Sequence, residues 1–182
     1  MGDIPRIVRI GTHAVSSGSK ATLRNRLRNH LGRADGVGSH RGSVFRLHVG
    51  RAMLIANNIL EQFPSWGEGQ NAPQEILIRE QEHERRVTEY ISRLEVFIIP
   101  INDEPSKNSL RAHVETQLIA LFTEGYKIID KPSTKWLGIK SPKEPIVRSG
   151  LWNLRDVGVK YIPNGVGSID SILYLKGVFN HE

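Results

Sequence analysis

Arg26 and His30 lie four residues apart in "TLRNRLRNHLGRADGVGSHRGS", residues 22–43. On a helix that spacing puts a guanidinium and an imidazole on one face. A guanidinium fork suits bidentate contact with phosphate, and an imidazole moves a proton near neutral pH. The pair flanks the apolar stripe Leu23, Leu27, Leu31, while Arg24 and Arg28 point elsewhere. The same pattern suits a helix edge packed through aliphatic stems, and the residues alone leave both readings open. His40 stands in "GSHRGS", a donor-rich loop leading into a helix, the kind of N-terminus that holds anions.

Further along, "SLRAHVETQLIALF" reads as a helix with an apolar stripe of Leu110, Val114, Leu118 and Leu121. Glu115 precedes Leu118 by three and Ile119 by four, which sets an acid on a mostly apolar face. A lone buried carboxylate needs an arginine, a hydrogen-bond network or a cation. One carboxylate completed by waters and a substrate phosphate is a usual Mg²⁺ arrangement, and Arg26 is the competing partner. Asn153, in "SGLWNLRDVG", either fixes a loop by bonding backbone or bonds a phosphate oxygen.

The elements that must position these groups can be read in order. "PRIVRIG" (residues 5–11) predicts a strand, and residues 16–19 a loop with a ready cap. Residues 20–31 predict the first helix, and 43–63 a second helical region. Residues 75–93 predict a charged helix whose mixed signs suggest a solvated face with internal ion pairs. "LEVFIIPI" (residues 94–101) is the strongest predicted strand, and Ser106 is the predicted cap of a helix over 106–124. The remainder of the chain is loop-rich, and "IDSILYLKGVF" near its end reads as one more helix or strand.

The 182 residues suit one domain with a proper core. There is no cysteine, which excludes disulfides and thiolate metal sites and suits a reducing cytoplasm. No apolar run is long enough to span a membrane, and the start lacks a signal-peptide pattern. The net charge of +6 is concentrated: residues 1–60 carry ten Lys and Arg against two Asp and Glu. Such a field attracts polyanions, chiefly nucleic acid. "HERRV" lacks the second histidine of a zincin, Gly36, Gly38 and Gly42 do not form a dinucleotide loop, and no nucleophile elbow or Walker loop occurs.

In this order the pieces resemble the GIY-YIG nuclease superfamily over roughly residues 6–157. Within it they resemble a bacterial branch with "GTHA", "HRGSVFRL" and "SGLWN" stretches. The resemblance implies an α+β fold, an α/β sandwich with a small antiparallel sheet flanked by helices. It implies one domain over 1–182, with a helical insertion around 50–93 and a loop-rich extension from about 125. "RIG" (Arg9-Ile10-Gly11) corresponds to the YIG signature, so Arg9 replaces a tyrosine assigned to activating water, and His13 is the stand-in. Arg26 corresponds to the arginine that holds the scissile phosphate, and His30 to the histidine that assists the nucleophile. His40 matches a loop histidine of some members, Glu115 the single metal ligand, and Asn153 the late asparagine. The GIY strand should precede "RIVRIG", and only residues 1–5 stand there, so the resemblance implies that this strand is either lost or encoded upstream of this chain.

The implied activity is DNA phosphodiester cleavage by an endonuclease that uses Mg²⁺ or Mn²⁺. Arg9, Lys20, Arg24, Arg28, Arg41 and Asn153 would track the nucleic acid, and Arg26, His30, His13, His40 and Glu115 would carry the chemistry. The alternative is a catalytically impaired module that binds nucleic acid or a partner protein. A missing strand would also expose a sheet edge, through which a homodimer could pair.

Overall fold

Hydroxyl side chains start three helices in the computed structural model, which describes residues 5–162. Thr22 caps α1, Leu23–Leu31, by accepting from Asn25 N at 3.2 Å. Ser43 caps α2, Val44–Ala56, by accepting from Arg46 N at 3.3 Å. After α3, Gln74–Ser92, Ser109 caps α4, Leu110–Thr123, by accepting from Ala112 N at 3.4 Å. The predicted cap Ser106 instead accepts from Asn108 N in the turn before the helix. A short α5, Glu144–Ser149, carries Pro145 in its first turn and ends at Gly150, whose φ of 70° suits glycine.

The centre of the molecule is α2, which packs on α3 and on the turn Leu137–Lys140. Its Phe45, Val49, Ala52 and Leu54 join Trp66, Val87, Ile91, Trp136, Ile146 and Trp152 in one buried cluster. Gly50 lets Trp66 lie against the α2 backbone: a Cβ there would stand 2.2 Å from Trp66 Cζ2. Residues from the segment 50–93 therefore supply much of the core.

The charged helix α3 is two-faced. Glu82 pairs with Arg85 and Arg86, and Glu89 with Arg93, on its exposed side as the charge pattern predicts. Its other face buries Glu80, His83, Glu84, Val87 and Ile91. The two buried acids are satisfied by arginines from the α2 side. Arg46 donates to Glu84 at 2.6 and 3.0 Å, and Arg41 donates to both oxygens of Glu80. Breaking such a buried pair by removing one partner costs about 3–5 kcal/mol.

The expected antiparallel sheet is not there. Among the described residues no strand forms, so the fold is helical and not an α/β sandwich. Residues 5–11 form no strand, and their partner is a loop: Trp152 N donates to Val8 O at 2.7 Å, and Asn153 supplies the next bonds from its side chain. A sheet needs a ladder of backbone bonds between strands, and one backbone bond is not a ladder. Residues 94–101 form no strand, and Phe97 is 83% exposed. The sheet edge through which a homodimer was expected is therefore not formed among the described residues. No helix among them is long and apolar enough to cross a membrane. The expected element at "IDSILYLKGVF" lies outside the described residues.

Candidate active site

The site is built from three chain segments that meet at Gly11. The first is residues 8–12, held by "LWN". Asn153 is 7% exposed, and its amide grips Ile10 at both ends: Oδ1 accepts from Ile10 N at 3.1 Å and Nδ2 donates to Ile10 O at 2.9 Å. The side chain thus does what a neighbouring strand would do, and it leaves Gly11 and Thr12 in one place. The second segment is α4, where Glu115 Oε1 accepts from Thr12 N at 3.1 Å. The third is α1, which carries Arg26 and His30 on one face.

A Cβ built on Gly11 would lie 3.6 Å from Arg26 Nη2 and 3.8 Å from Glu115 Oε1. A guanidinium and a carboxylate therefore flank one exposed glycine. They form no direct ion pair with each other, and Arg26 acts on Glu115 through its charge alone. Burial pushes the Glu115 carboxyl up, the Thr12 N–H and the charges of Arg26 and Arg9 oppose this, and Asp156 adds to it. Glu115 Oε2 receives no hydrogen bond from the described residues.

Arg9 is half-buried behind Gly11. Its Nη1 donates to Trp152 O at 2.9 Å, and the guanidinium lies 4.8 Å from the centre of the Phe45 ring. Burial, together with the charge of Arg26, holds it down to about 10. At neutral pH it remains a cation, and the compensating charge near it is Glu115.

Two imidazoles border this field. Burial and the cations of Arg9, Arg26 and Arg46 hold His30 down to about 4. Burial, Arg111 and Arg26 lower His13, and Asp103 partly offsets them. Both rings are neutral at pH 7. Arg111, on the same α4 face as Glu115, is held by Asp103, whose Oδ2 accepts from Arg111 N at 3.1 Å.

A family profile described as the GIY-YIG domain matches residues 1–175 of the 182. The chain belongs to the GIY-YIG nuclease superfamily. No curated protein and no solved structure gives a significant match to it.

Against the GIY-YIG pattern, Arg9, Arg26, His30, His13, Glu115 and Asn153 come together around residues 9–13. Asn153, however, spends both amide ends on Ile10. Lys20, Arg24 and Arg28 are exposed on or beside α1. His40 and Arg41 are elsewhere. His40 is 2% exposed, stacked on Trp66 at 3.9 Å; its Nδ1 is 2.9 Å from Glu84 Oε1, and its Nε2 accepts from Gly67 N. Arg41 is spent on Glu80 and Ser65 O. Their glycine-rich setting suggested an open loop, but long-range pairing with α3 closes it.

Four neighbours of the GIY-YIG site were not legible in the sequence. Thr12 contributes only a backbone N–H, and Ser43 only a hydroxyl among many. Asp156 sits at φ 61°, a conformation aspartate tolerates better than most residues. His48 is buried on α2 with Nδ1 unpartnered among the described residues, and burial with Lys143, Arg9 and Arg51 holds it down to about 4.

A divalent cation fits the donor set. Glu115 Oε2, a hard oxygen, accepts no hydrogen bond from the described residues, and burial disfavours the ionised form of its carboxyl. No three His, Cys, Asp or Glu converge as a metal-binding group among the described residues. Mg²⁺ needs only one or two carboxylates when waters and phosphate complete its shell.

Proposed function

We propose that the chain is a divalent-metal-dependent endonuclease that hydrolyses DNA phosphodiester bonds. The observation that supports this is the convergence at Gly11: Arg26 and Glu115 within 4 Å of one Cβ position, with the charge of Arg9 coupled to both. A bound Mg²⁺ or Mn²⁺, held by Glu115, would supply a Lewis acid for a phosphate oxygen. The chain's own groups do the rest. Arg26 takes the charge that builds on the phosphate, and Arg9 raises the field from below. Arg9 is held by Trp152 O before substrate arrives, so its charge needs little reorganisation. His13, neutral and beside the extended segment, accepts a proton from water. The excess cations of residues 1–60, with Arg24 and Arg28 exposed on α1, draw the DNA backbone to this side.

A second reading is a module that binds nucleic acid or a partner without cutting. One observation favours it: Arg9, which takes the place of the signature tyrosine, has Nη1 committed to Trp152 O. Plasmid cleavage with Mg²⁺ separates the two, run beside EDTA and Glu115→Gln. The endonuclease reading expects EDTA-sensitive nicking that Glu115→Gln abolishes. It also expects Glu115→Gln to melt no lower than the parent, because burial disfavours the carboxylate while Gln can still accept from Thr12 N. Cleavage that survives in Glu115→Gln would sink the mechanism.

A further inference from the structure

His30 is held from behind by α2. Arg46 Nη1 donates to the His30 carbonyl at 2.8 Å, and His30 Nδ1 lies 2.8 Å from Ser43 Oγ. The ring stands edge-on to Phe45, at 5.5 Å and 86°. Backbone and imidazole are thus both fixed.

The hydroxyl of Ser43 decides where the imidazole carries its hydrogen. Ser43 is 4% exposed, and among the described residues its oxygen has two contacts. In one it accepts from Arg46 N, as the α2 cap. The other is His30 Nδ1, which is therefore the one acceptor on hand for the hydroxyl hydrogen. If Nδ1 carried the hydrogen, Ser43 would accept twice and leave its own O–H unpaired in a buried place, which is costly. A neutral imidazole that accepts at Nδ1 carries its hydrogen at Nε2. The ring is neutral at pH 7, because burial and the neighbouring cations disfavour its charged form. Nε2, on the other edge of the ring, has no hydrogen-bond partner among the described residues.

We propose that Ser43 is a positioning residue that locks His30 as the Nε2–H tautomer, so that His30 offers a phosphate oxygen a neutral donor and does not act as a base. What the donor meets rests on the endonuclease reading; the tautomer itself does not. The assignment divides the two site imidazoles by role. His30 adds a hydrogen bond beside Arg9 and Arg26 without a third charge, and proton acceptance falls to His13.

The test is a long-range ¹H–¹⁵N correlation spectrum of the full chain at pH 7, with His30→Gln used to assign the ring. His30 should show a bare Nδ1 and a protonated Nε2. Ser43→Thr should keep that pattern. Ser43→Asp retains a capping oxygen but has no hydrogen to give, so Nδ1 should become protonated and plasmid nicking should fall at least tenfold. A Ser43 that only capped α2 would not fix which ring nitrogen carries the hydrogen, and the parent spectrum reads that directly. A protonated Nδ1 in the parent, or a Ser43→Asp chain that nicks like the parent, overturns the proposal. The parent spectrum needs no variant to fold. If the parent shows the assigned tautomer but does not nick DNA, the endonuclease reading fails and the Ser43–His30 assignment stands.

Discussion

Removing the Asn153 side chain should loosen the whole site, although Asn153 touches none of the charged groups that do the chemistry. Its amide makes two bonds to Ile10, at 3.1 and 2.9 Å, and it is 7% exposed. Each such bond contributes about 0.5–1.5 kcal/mol net, so Asn153→Ala should cost about 2 kcal/mol. For a chain of this size that lowers Tm by about 4–8 °C. Ile10 stands two residues before Thr12, whose N–H holds Glu115. A shift of about 1 Å in that segment could reduce cleavage by about 100-fold. The decisive comparison is Asn153→Asp. Aspartate keeps the acceptor for Ile10 N but puts a second oxygen against Ile10 O, so it should be no more stable than the alanine variant. Calorimetry of the three proteins, with plasmid nicking on the same samples, checks this. If Asn153→Ala leaves Tm unchanged while DNA binding weakens, the side chain serves the substrate and the reasoning fails. An aspartate variant as stable as the parent refutes it equally.

Gly11→Ala should fold normally, because its Cβ meets neighbours only at 3.6 Å and beyond, yet it puts a methyl between Arg26 and Glu115. Nicking assays should show a loss of roughly 10-fold or more, as misplacement of reacting groups dictates, with Tm little changed. Gly50→Ala should do the reverse. Its Cβ would stand 2.2 Å from Trp66, which cannot retreat without giving up its Nε1 bond to Leu47 O, so overpacking should cost about 1–3 kcal/mol in urea unfolding. Acid should destabilise the fold through His30 and His48. Their folded values of about 4 lie below the ordinary 6.5, so the unfolded chain binds more protons between those limits. Stability is then full above the upper value and is lost as pH falls through that window, and His48→Gln should flatten the slope of the urea midpoint against pH.

The helices were largely legible because their cause is local. Leucines at i, i+4 and i+8 and the glycine after them specify α1 without help from the rest of the chain, although its cap is Thr22 and not the expected loop at 16–19. The opposed charges at 82, 85, 86, 89 and 93 marked the exposed face of α3 for the same reason. What failed was non-local. The β-branched run at 94–101 has strand propensity, but a strand also needs a backbone ladder, and none forms there among the described residues. Phe97 in this run remains open to solvent. In the same way Val114, Gln117 and Ala120 turn inward on α4, and Leu110 turns out, because the neighbours of α4 determine which side is covered.

By itself the sequence determined the residue types of the site, their spacing on α1 and α4, and the concentration of positive charge in the first third. Those are properties of one segment at a time. The tertiary structure decided which of the many cations and imidazoles share a place. Arg26 and Glu115 meet at Gly11, in a segment that Asn153, 143 residues on from Ile10, grips. His40 and Arg41 are drawn away because the buried acids Glu84 and Glu80 of α3 must be paired. A buried charge without a partner costs more than a local pattern can offset, so long-range pairing overrules it.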